Sequence, residues 1–445
     1  MLIRFNITNF LSFNQETEFN MLAATSLRTH KDHVYSIKKD IHVLKASTIY
    51  GANGAGKSNM IKALASLKNF VLVGKIFSTV SKHKFKFKEE NHDLPIQLEI
   101  EFSTADDKIY TYGIAFDDNM VLEEWLYRTG SGKPKAVFER VHSVKNNLPS
   151  IKTDPKFVQT DKSQMLISLM EENLLKPNEL FISKNDSLKY DEINDVLEWF
   201  KNDLFVINPE TKGPSVIAGL SLNENFRAFS NELFHSFDLG IQSLDLKSWD
   251  LDELFNQYSM DRQQIEHIKK ILDIDEQANG MLEKTMFGAF KEGNQYVAKT
   301  LVSSHAVGNN NYIFDMDDES DGTQRLIDFL PMIYGLLETK RTFVIDELDR
   351  SLHPSILHKL IHKIMDNSNI KGQLIFTTHE SSLLNCNIFR ADEIWFAQKN
   401  KEEQSTQLYT LHEFKPRADL DIEKGYLNGR FGAIPFLAKL DDLNW

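Results

Sequence analysis

The feature that most narrows what this chain can fold into is Gly51-Ala52-Asn53-Gly54-Ala55-Gly56-Lys57-Ser58, set between an apolar run and a helical one. Residues 46–50, Ala-Ser-Thr-Ile-Tyr, read as a short strand that runs straight into the glycines. Residues 59–67 then space their apolar side chains as a helix does. Strand, glycine-rich turn and helix are the setting in which Gly-x-x-x-x-Gly-Lys-Ser wraps phosphate groups. The glycines let backbone N–H groups curl inward, and the helix start adds its positive end. Lys57 is then placed to reach the β and γ phosphates of ATP, and Ser58 to give its hydroxyl oxygen to Mg²⁺. Asn53, Gly54, Ala55 and Asn59 complete the loop residues expected against the nucleotide.

A second motif lies far along the chain. Residues 342–345, Thr-Phe-Val-Ile, form an apolar strand that delivers Asp346 and Glu347 to its C-terminal end, where ligands bind in open α/β sheets. Asp346 is expected to hold Mg²⁺ through water, and Glu347 to polarise the attacking water. An Asp-Glu pair after a strand also serves as a helix cap, but its occurrence with a phosphate loop favours the chemical role. A helical stretch at 356–365 and another strand at 373–377 supply the alternation of a mostly parallel sheet, so the fold class is α/β.

In this order the motifs resemble those of ABC-type ATPases, including the SMC and double-strand-break-repair branch. Glu319-Ser320-Asp321-Gly322-Thr323-Gln324 resembles the ABC signature, usually Leu-Ser-Gly-Gly-Gln; Ser320 and Gly322 are kept, and Asp321 and Thr323 depart from it. Ser320 has two readings: N-cap of the helix that follows, or contact to the γ phosphate of ATP held by a second subunit. Asp349-Arg350-Ser351-Leu352-His353-Pro354 is similar to the dimer-contact loop, and His379 to the switch histidine at the γ phosphate. Ile7-Thr8-Asn9-Phe10 resembles the opening strand of SMC-like ATPases, although Leu11 stands where several of them carry an arginine. For the glutamine loop, Gln97 and residues 180–184 are both candidates. The resemblance spans residues 1–127 and 315–400 and implies an ABC/SMC-type P-loop ATPase head with an antiparallel β subdomain and a helical insertion.

Between the motifs the texture changes. Residues 2–22 read as two strands about the turn at 9–12, and 96–102 and 108–116 alternate with period two, as antiparallel hairpins do. Residues 150–300 look helical, as at 191–200 and 260–272, without a sustained heptad. The expected domains are 1–150, the N-terminal half of the head with the phosphate loop and β subdomain; 151–305, a mainly helical lobe; 306–400, the C-terminal half with signature, Asp-Glu pair and switch histidine; and 401–445, a tail that docks a partner. Within that tail, residues 424–436 resemble the closing motif of RloA-like ATPases; a tail folded on its own head is the plainer alternative. At 82–88 lysines alternate with Phe85 and Phe87, which reads as a half-buried strand with a solvated lysine face, or else as a contact for nucleic acid or a partner.

A formal charge of −13 argues against attraction to nucleic acid over the whole surface, because phosphate binding is dominated by Lys and Arg. The single cysteine, Cys386, excludes an internal disulfide, and the 14 histidines form no ligand-spaced cluster, so Mg²⁺ is the only metal implied. No apolar run of about 18 residues and no signal-peptide pattern appears, so no membrane association and a cytoplasmic location are expected.

The resemblance implies a homodimer or higher homo-oligomer with ATP sandwiched between heads, since the chain holds one set of motifs. The short insert and the Leu-His-Pro loop are similar to those of compact SMC-like ATPases of the RloA, AriA and OLD-related defence group. That implies a sensor or regulatory subunit of a prokaryotic anti-phage system, triggered by a nucleic acid or phage protein and controlling a separate effector nuclease or toxin. The roughly 65 residues after His379 are too few for the Toprim nuclease that OLD-like proteins fuse there, as a domain takes about 100. A DNA-clamping repair or recombination ATPase and an ATP-gated scaffold with little turnover are the alternatives.

Overall fold

The computed structural model describes residues 1–77, 80–118, 120–130, 132–143, 148–209, 216–237, 239–282, 285–417 and 420–434. It divides into two compact units: Met1–Pro209 with Leu336–Asp349 and Leu360–Trp445, and Glu210–Gly335 with Arg350–Lys359.

In the first unit, Ala46–Tyr50, Thr342–Ile345 and Gln373–Thr377 are buried at every residue. Strands buried on both faces belong to a covered parallel sheet, and these pair in parallel. The sheet runs in the order Leu204–Ile207, Thr342–Ile345, Gln373–Thr377, Ala46–Tyr50, Ile394–Lys399 and Thr406–Thr410, with only the last antiparallel. Ile345 pairs with Phe376 and Thr377 with Ile49, so three neighbouring strands end at nearly the same level.

A second sheet in this unit is wholly antiparallel. It orders Leu148–Thr153, Lys135–Ser143, Met120–Thr129, Ile109–Asp117, Ile96–Ser103, Leu2–Thr8 and Thr17–Asn20. Ile96, Leu98, Ile100 and Phe102 alternate into the core, and Phe102 stacks on Trp199 with ring centroids 3.9 Å apart. Gln373 ties the two sheets together. Its amide nitrogen donates to Leu2 O (3.0 Å) and Leu44 O (2.9 Å), and its oxygen accepts from Leu2 N–H (2.7 Å).

The second unit holds the helices Glu224–Ser236, Leu251–Gln257 and Arg262–Asp275, with the start of Asp321–Glu338. It also holds five strands in one antiparallel sheet: Ile241–Asp250, Gln295–Val307, Thr285–Glu292, Gln277–Leu282 and, beside Gln295–Val307, Asn310–Asp315. The expected helical lobe 151–305 thus carries most of this sheet among its helices. The strand Ile241–Asp250 was hard to see because it is half-solvated, with only Ile241 and Leu244 buried; Phe287–Phe290 and Thr300–Ser303 are buried runs without alternation. The expected boundary moves too, since residues up to Pro209 group with the first unit; Trp199 and Phe200 are part of its core.

Two local expectations also change. Residues 82–88 are not a strand: Val80–His83 is a short 3-10 turn, Phe85 is fully buried and Phe87 is 65% exposed. Asn9 Oδ1 accepts the Phe85 N–H (3.2 Å), so a side chain takes the donor that a strand partner would have used. In the tail, Tyr426 and Phe431 are buried against Phe396, with ring centroids 5.7 and 5.8 Å away. The tail therefore folds onto its own sheet as far as Ile434; Pro435 and Phe436 lie outside the described residues. No described helix is long and apolar enough to cross a membrane.

Candidate nucleotide site

The loop 51–58 follows Ala46–Tyr50, Asp346 and Glu347 follow Thr342–Ile345, and His379 follows Gln373–Thr377. Because the third of these strands lies between the first two, the parallel sheet brings all three segments to one edge. This is the carboxyl end of the strands, where an open α/β sheet receives ligands.

Within the loop, nothing among the described residues accepts from the backbone N–H groups of Asn53, Gly54, Gly56, Lys57 and Ser58. These donors, ahead of the 17-residue helix Lys57–Val73, make a ready cradle for an anion. Lys57 is buried and folds back, its Nζ donating to Gly51 O (2.6 Å) and Ala52 O (3.3 Å). Burial pulls its ammonium below the ordinary range, against the opposing pull of Asp346, Asp349 and Glu347. A phosphate would supply the counter-charge that the loop carbonyls only approximate.

The loop is propped from outside the motif. Thr406 Oγ1 lies 2.8 Å from Ala55 O and 2.7 Å from Ser12 Oγ, which also accepts from Asn59 Nδ2 (2.8 Å). Gly56 has φ +109°, and a Cβ there would stand 2.0 Å from Thr406 Oγ1, so glycine is demanded twice over. Asn59, expected against the nucleotide, is occupied with Ser12. The Asn9 amide is buried and spent on structure, donating to Asn91 O (2.8 Å) and Leu94 O (2.9 Å).

Thr377 joins the other two segments. Its hydroxyl donates to Asp346 Oδ1 (2.6 Å) and accepts from the Glu347 N–H (2.8 Å). Glu347 itself is left-handed, φ +52°, a conformation that an L side chain adopts at a cost and that clusters at functional sites. The buried Asp346 carboxylate has no hydrogen bond at its second oxygen among the described residues. The His379 N–H donates to Asp349, 3.3 Å from each oxygen. Burial first, then the Lys57 charge, holds the His379 ring below its ordinary value, while Asp349, Glu347 and Asp346 push it back up. A ring so placed is neutral at pH 7 and able to donate or accept a hydrogen bond.

The signature residues belong to the second unit. Ser320 is exposed, and its Oγ accepts from the Thr323 N–H (3.2 Å) at the start of the 18-residue helix Asp321–Glu338, a capping contact that leaves the residue open to solvent and a second partner. A Cβ on Gly322 would come within 2.9 Å of Ser351 O, which fits glycine to a close backbone approach. Ser351 in turn has φ +64°. In the Leu-His-Pro stretch, His353 Nδ1 accepts from the Ser355 N–H (3.2 Å), and Pro354 opens the helix Pro354–Met365. Gln97 lies on the strand Ile96–Ser103 with its side chain exposed, and Phe181–Lys184 is a 3-10 turn.

Sequence reasoning missed Thr377, Thr406 and Ser12. Thr377 had a signal, as the last residue of a strand next to the Asp-Glu strand; Thr406 and Ser12 had none.

A phosphate loop, an Asp-Glu pair and a histidine on three adjacent parallel strands define a P-loop nucleotide-binding protein of the ATPase class. Over residues 47–385 the chain matches the family described as "AAA domain, putative AbiEii toxin, Type IV TA system", and it belongs to that family. No curated protein matches it. Among solved structures it is similar to the SMC head domain from Thermotoga maritima, at 13% identity over 92% of this chain and 98% of that one, with a TM-score of 0.40. It is also similar to an SmcHead bound to the C-winged helix domain of ScpA, at 13% identity over 93% and 99%, with a TM-score of 0.44.

Proposed function

We propose that this chain is an ATPase that closes on itself, two copies sandwiching ATP, and that closure signals to a separate effector. The observation that carries the reading is the convergence of Lys57, Asp346, Glu347 and His379 at one sheet edge, with open backbone donors in the loop between Gly51 and Ser58. Lys57 and the loop N–H groups bind the phosphates. Ser58 and the free oxygen of Asp346 are hard oxygen donors that suit Mg²⁺, with water completing the shell. Bound there, Mg²⁺ would offset phosphate charge as the terminal group departs. Glu347, fixed by Thr377 through its N–H, orients the attacking water, and neutral His379 contacts the γ phosphate. Ser320 and Gly322 serve the site of the other copy.

Glu347→Gln tests the reading. Turnover should fall by about 10²- to 10⁴-fold while ATP still binds, and the chain should accumulate as an ATP-held dimer in size-exclusion light scattering. Unchanged turnover would remove Glu347 from the chemistry. A wild-type chain that stays monomeric with ATP would remove the sandwich.

For the biological role, a sensor or regulatory subunit of an anti-phage system of the RloA, AriA and OLD-related kind is favoured. The family description names a putative toxin of a type IV TA system, which fits a role within a two-component system; the short insert and the Leu-His-Pro loop favour the sensor part. Co-purification with products of adjacent genes, with and without ATP, should capture a nuclease or toxin; phage sensitivity unaffected by deletion would count against it.

One feature favours the second reading, an ATPase that clamps DNA. Lys62 and Lys86 lie near His83, and Lys399 Nζ lies 5.5 Å from the exposed Phe87 ring, while Lys84 and Lys88 are ion-paired with Asp117 and Glu403. That basic and aromatic patch predicts salt-dependent binding of labelled DNA, and no binding at low salt would exclude the reading.

A further inference from the structure

Ser320 is exposed, yet the backbone that carries it is held from several sides. Gln324 Nε2 donates to Met316 O (2.9 Å) and Glu319 O (3.1 Å), bracketing the turn just before the helix. The side chain of Glu319 then reaches into the antiparallel sheet. Its Oε1 accepts from the Ser303 hydroxyl (2.5 Å) and from His305 Nε2 (2.6 Å). Ser303 and His305 stand two apart on the strand Gln295–Val307 and so share a face. Ser303 is fully buried, the Glu319 side chain is 9% exposed, and the Phe314 ring packs edge-on to His305 at 4.8 Å.

Serine, histidine and glutamate together invite a hydrolytic reading, but the geometry is wrong for it. A nucleophilic serine gives its proton to the histidine, which a carboxylate orients through the other ring nitrogen. Here Ser303 Oγ lies 3.4 Å from His305 Nε2, but that same nitrogen already faces Glu319 Oε1. The carboxylate therefore does not orient the ring through its other nitrogen, and the serine is fully buried. What the cluster does is grip. A carboxylate with two donors on one oxygen is a charge-assisted anchor, and its backbone is the residue immediately before Ser320.

We propose that Glu319 is a positioning residue: clamped by Ser303 and His305, it fixes the turn at 316–320 so that Ser320 meets the nucleotide of a second copy in the geometry of the transition state. The inference rests on the reading of Ser320 as a donor in trans. Because the grip acts on orientation and not on the loop that holds ATP, it should change kcat and leave KM nearly alone.

Glu319→Ala, Glu319→Gln and His305→Ala, measured by steady-state turnover alongside fluorescent-ATP binding, decide it. Glu319→Ala should lose about 10-fold or more in kcat with KM within about 2-fold, since small misplacements of a positioned group are costly. Glu319→Gln keeps an acceptor oxygen and should recover most of kcat. His305→Ala removes one of the two donors and should fall between; it carries the test should Glu319→Ala fail to fold. Wild-type kcat in either alanine variant overturns the inference, as does a loss carried by KM or a glutamine variant no better than alanine. A wild-type chain that binds ATP without turnover removes the composite-site reading and the inference with it. Normal wild-type turnover with an indifferent Glu319→Ala removes the inference alone.

Discussion

The phosphate loop and the signature turn each sit at the start of a long helix, yet the two units hold them by opposite means. The loop grows out of a strand buried at every residue and is propped by Thr406 and Ser12, with Gly56 packed against them. The signature turn follows the fully exposed strand Asn310–Asp315, and it is pinned by the side chain of Glu319. The loop is held by backbone and burial, the turn by a polar grip on an exposed segment. A rigid cradle suits a group that must bind ATP alone. A turn with an exposed serine suits a group that completes its site only when another molecule arrives.

Lys57→Ala should break the comparison on the loop side most severely. It removes the buried ammonium that the cradle is built around, so ATP binding should weaken by at least about 100-fold in equilibrium fluorescence titration. Ser320→Ala should leave the same titration unchanged. Equal losses in the two variants would mean that both residues serve one copy's binding, and the division between cradle and donor would fail.

Thr377→Val asks whether the scaffold behind the chemistry matters as much as the chemistry. The change keeps shape but strands Asp346 Oδ1 and the Glu347 N–H, both bonded to that hydroxyl. A cost of about 1–3 kcal/mol in stability is expected, with turnover down about 10-fold and ATP binding much less affected. Urea midpoints and kcat on the same preparation check it; wild-type kcat would show that Glu347 holds its left-handed backbone without help.

These partners explain what was legible beforehand. Ala46–Tyr50, Thr342–Ile345 and Gln373–Thr377 have the bounds expected from sequence, because uniform burial leaves a continuous pattern in a short run. The placement of Lys57, Asp346, Glu347 and His379 at one sheet edge was legible for a similar reason, as each follows such a strand. Thr406 and Ser12 meet across 394 positions, and Ser303 reaches Glu319 across a sheet with weak alternation, so no local pattern announces them. The lysine run at 82–88 misled because period two is only a statistical mark of pairing, and Asn9 claimed the backbone donor first.

Gly322→Ala tests the second unit with a smaller perturbation. A methyl group would press on Ser351 O at 2.9 Å, and neither side of that contact is a flexible side chain. The backbone must shift, at about 1–3 kcal/mol, and kcat should fall several-fold while ATP binding holds. A variant with unaltered turnover would show that the spacing between the turn and Ser351 is slack, and that the signature side tolerates what the loop side does not.

The smallest effect concerns the strand beside the loop. His33 Nδ1 lies 3.0 Å from both oxygens of buried Glu393, and Glu393 O accepts from the Thr48 N–H (2.9 Å) on the strand that leads into the loop. Burial lowers the His33 pKa, but the hydrogen bond and charge of Glu393 outweigh it, leaving the ring above its ordinary value of 6.5. Glu393 is itself raised, chiefly by burial, so the pair shares its charge at some expense. For a base with a raised folded pKa, the stabilisation is complete below the unfolded value of 6.5 and fades as pH rises through the folded one. His33→Gln keeps a donor without the charge. Its deficit in urea midpoint should therefore be greatest near pH 6 and shrink toward pH 9. A deficit independent of pH would assign His33 a packing role only, and one growing with pH would mean that the buried glutamate, not the histidine, sets the charge of the pair beneath the loop.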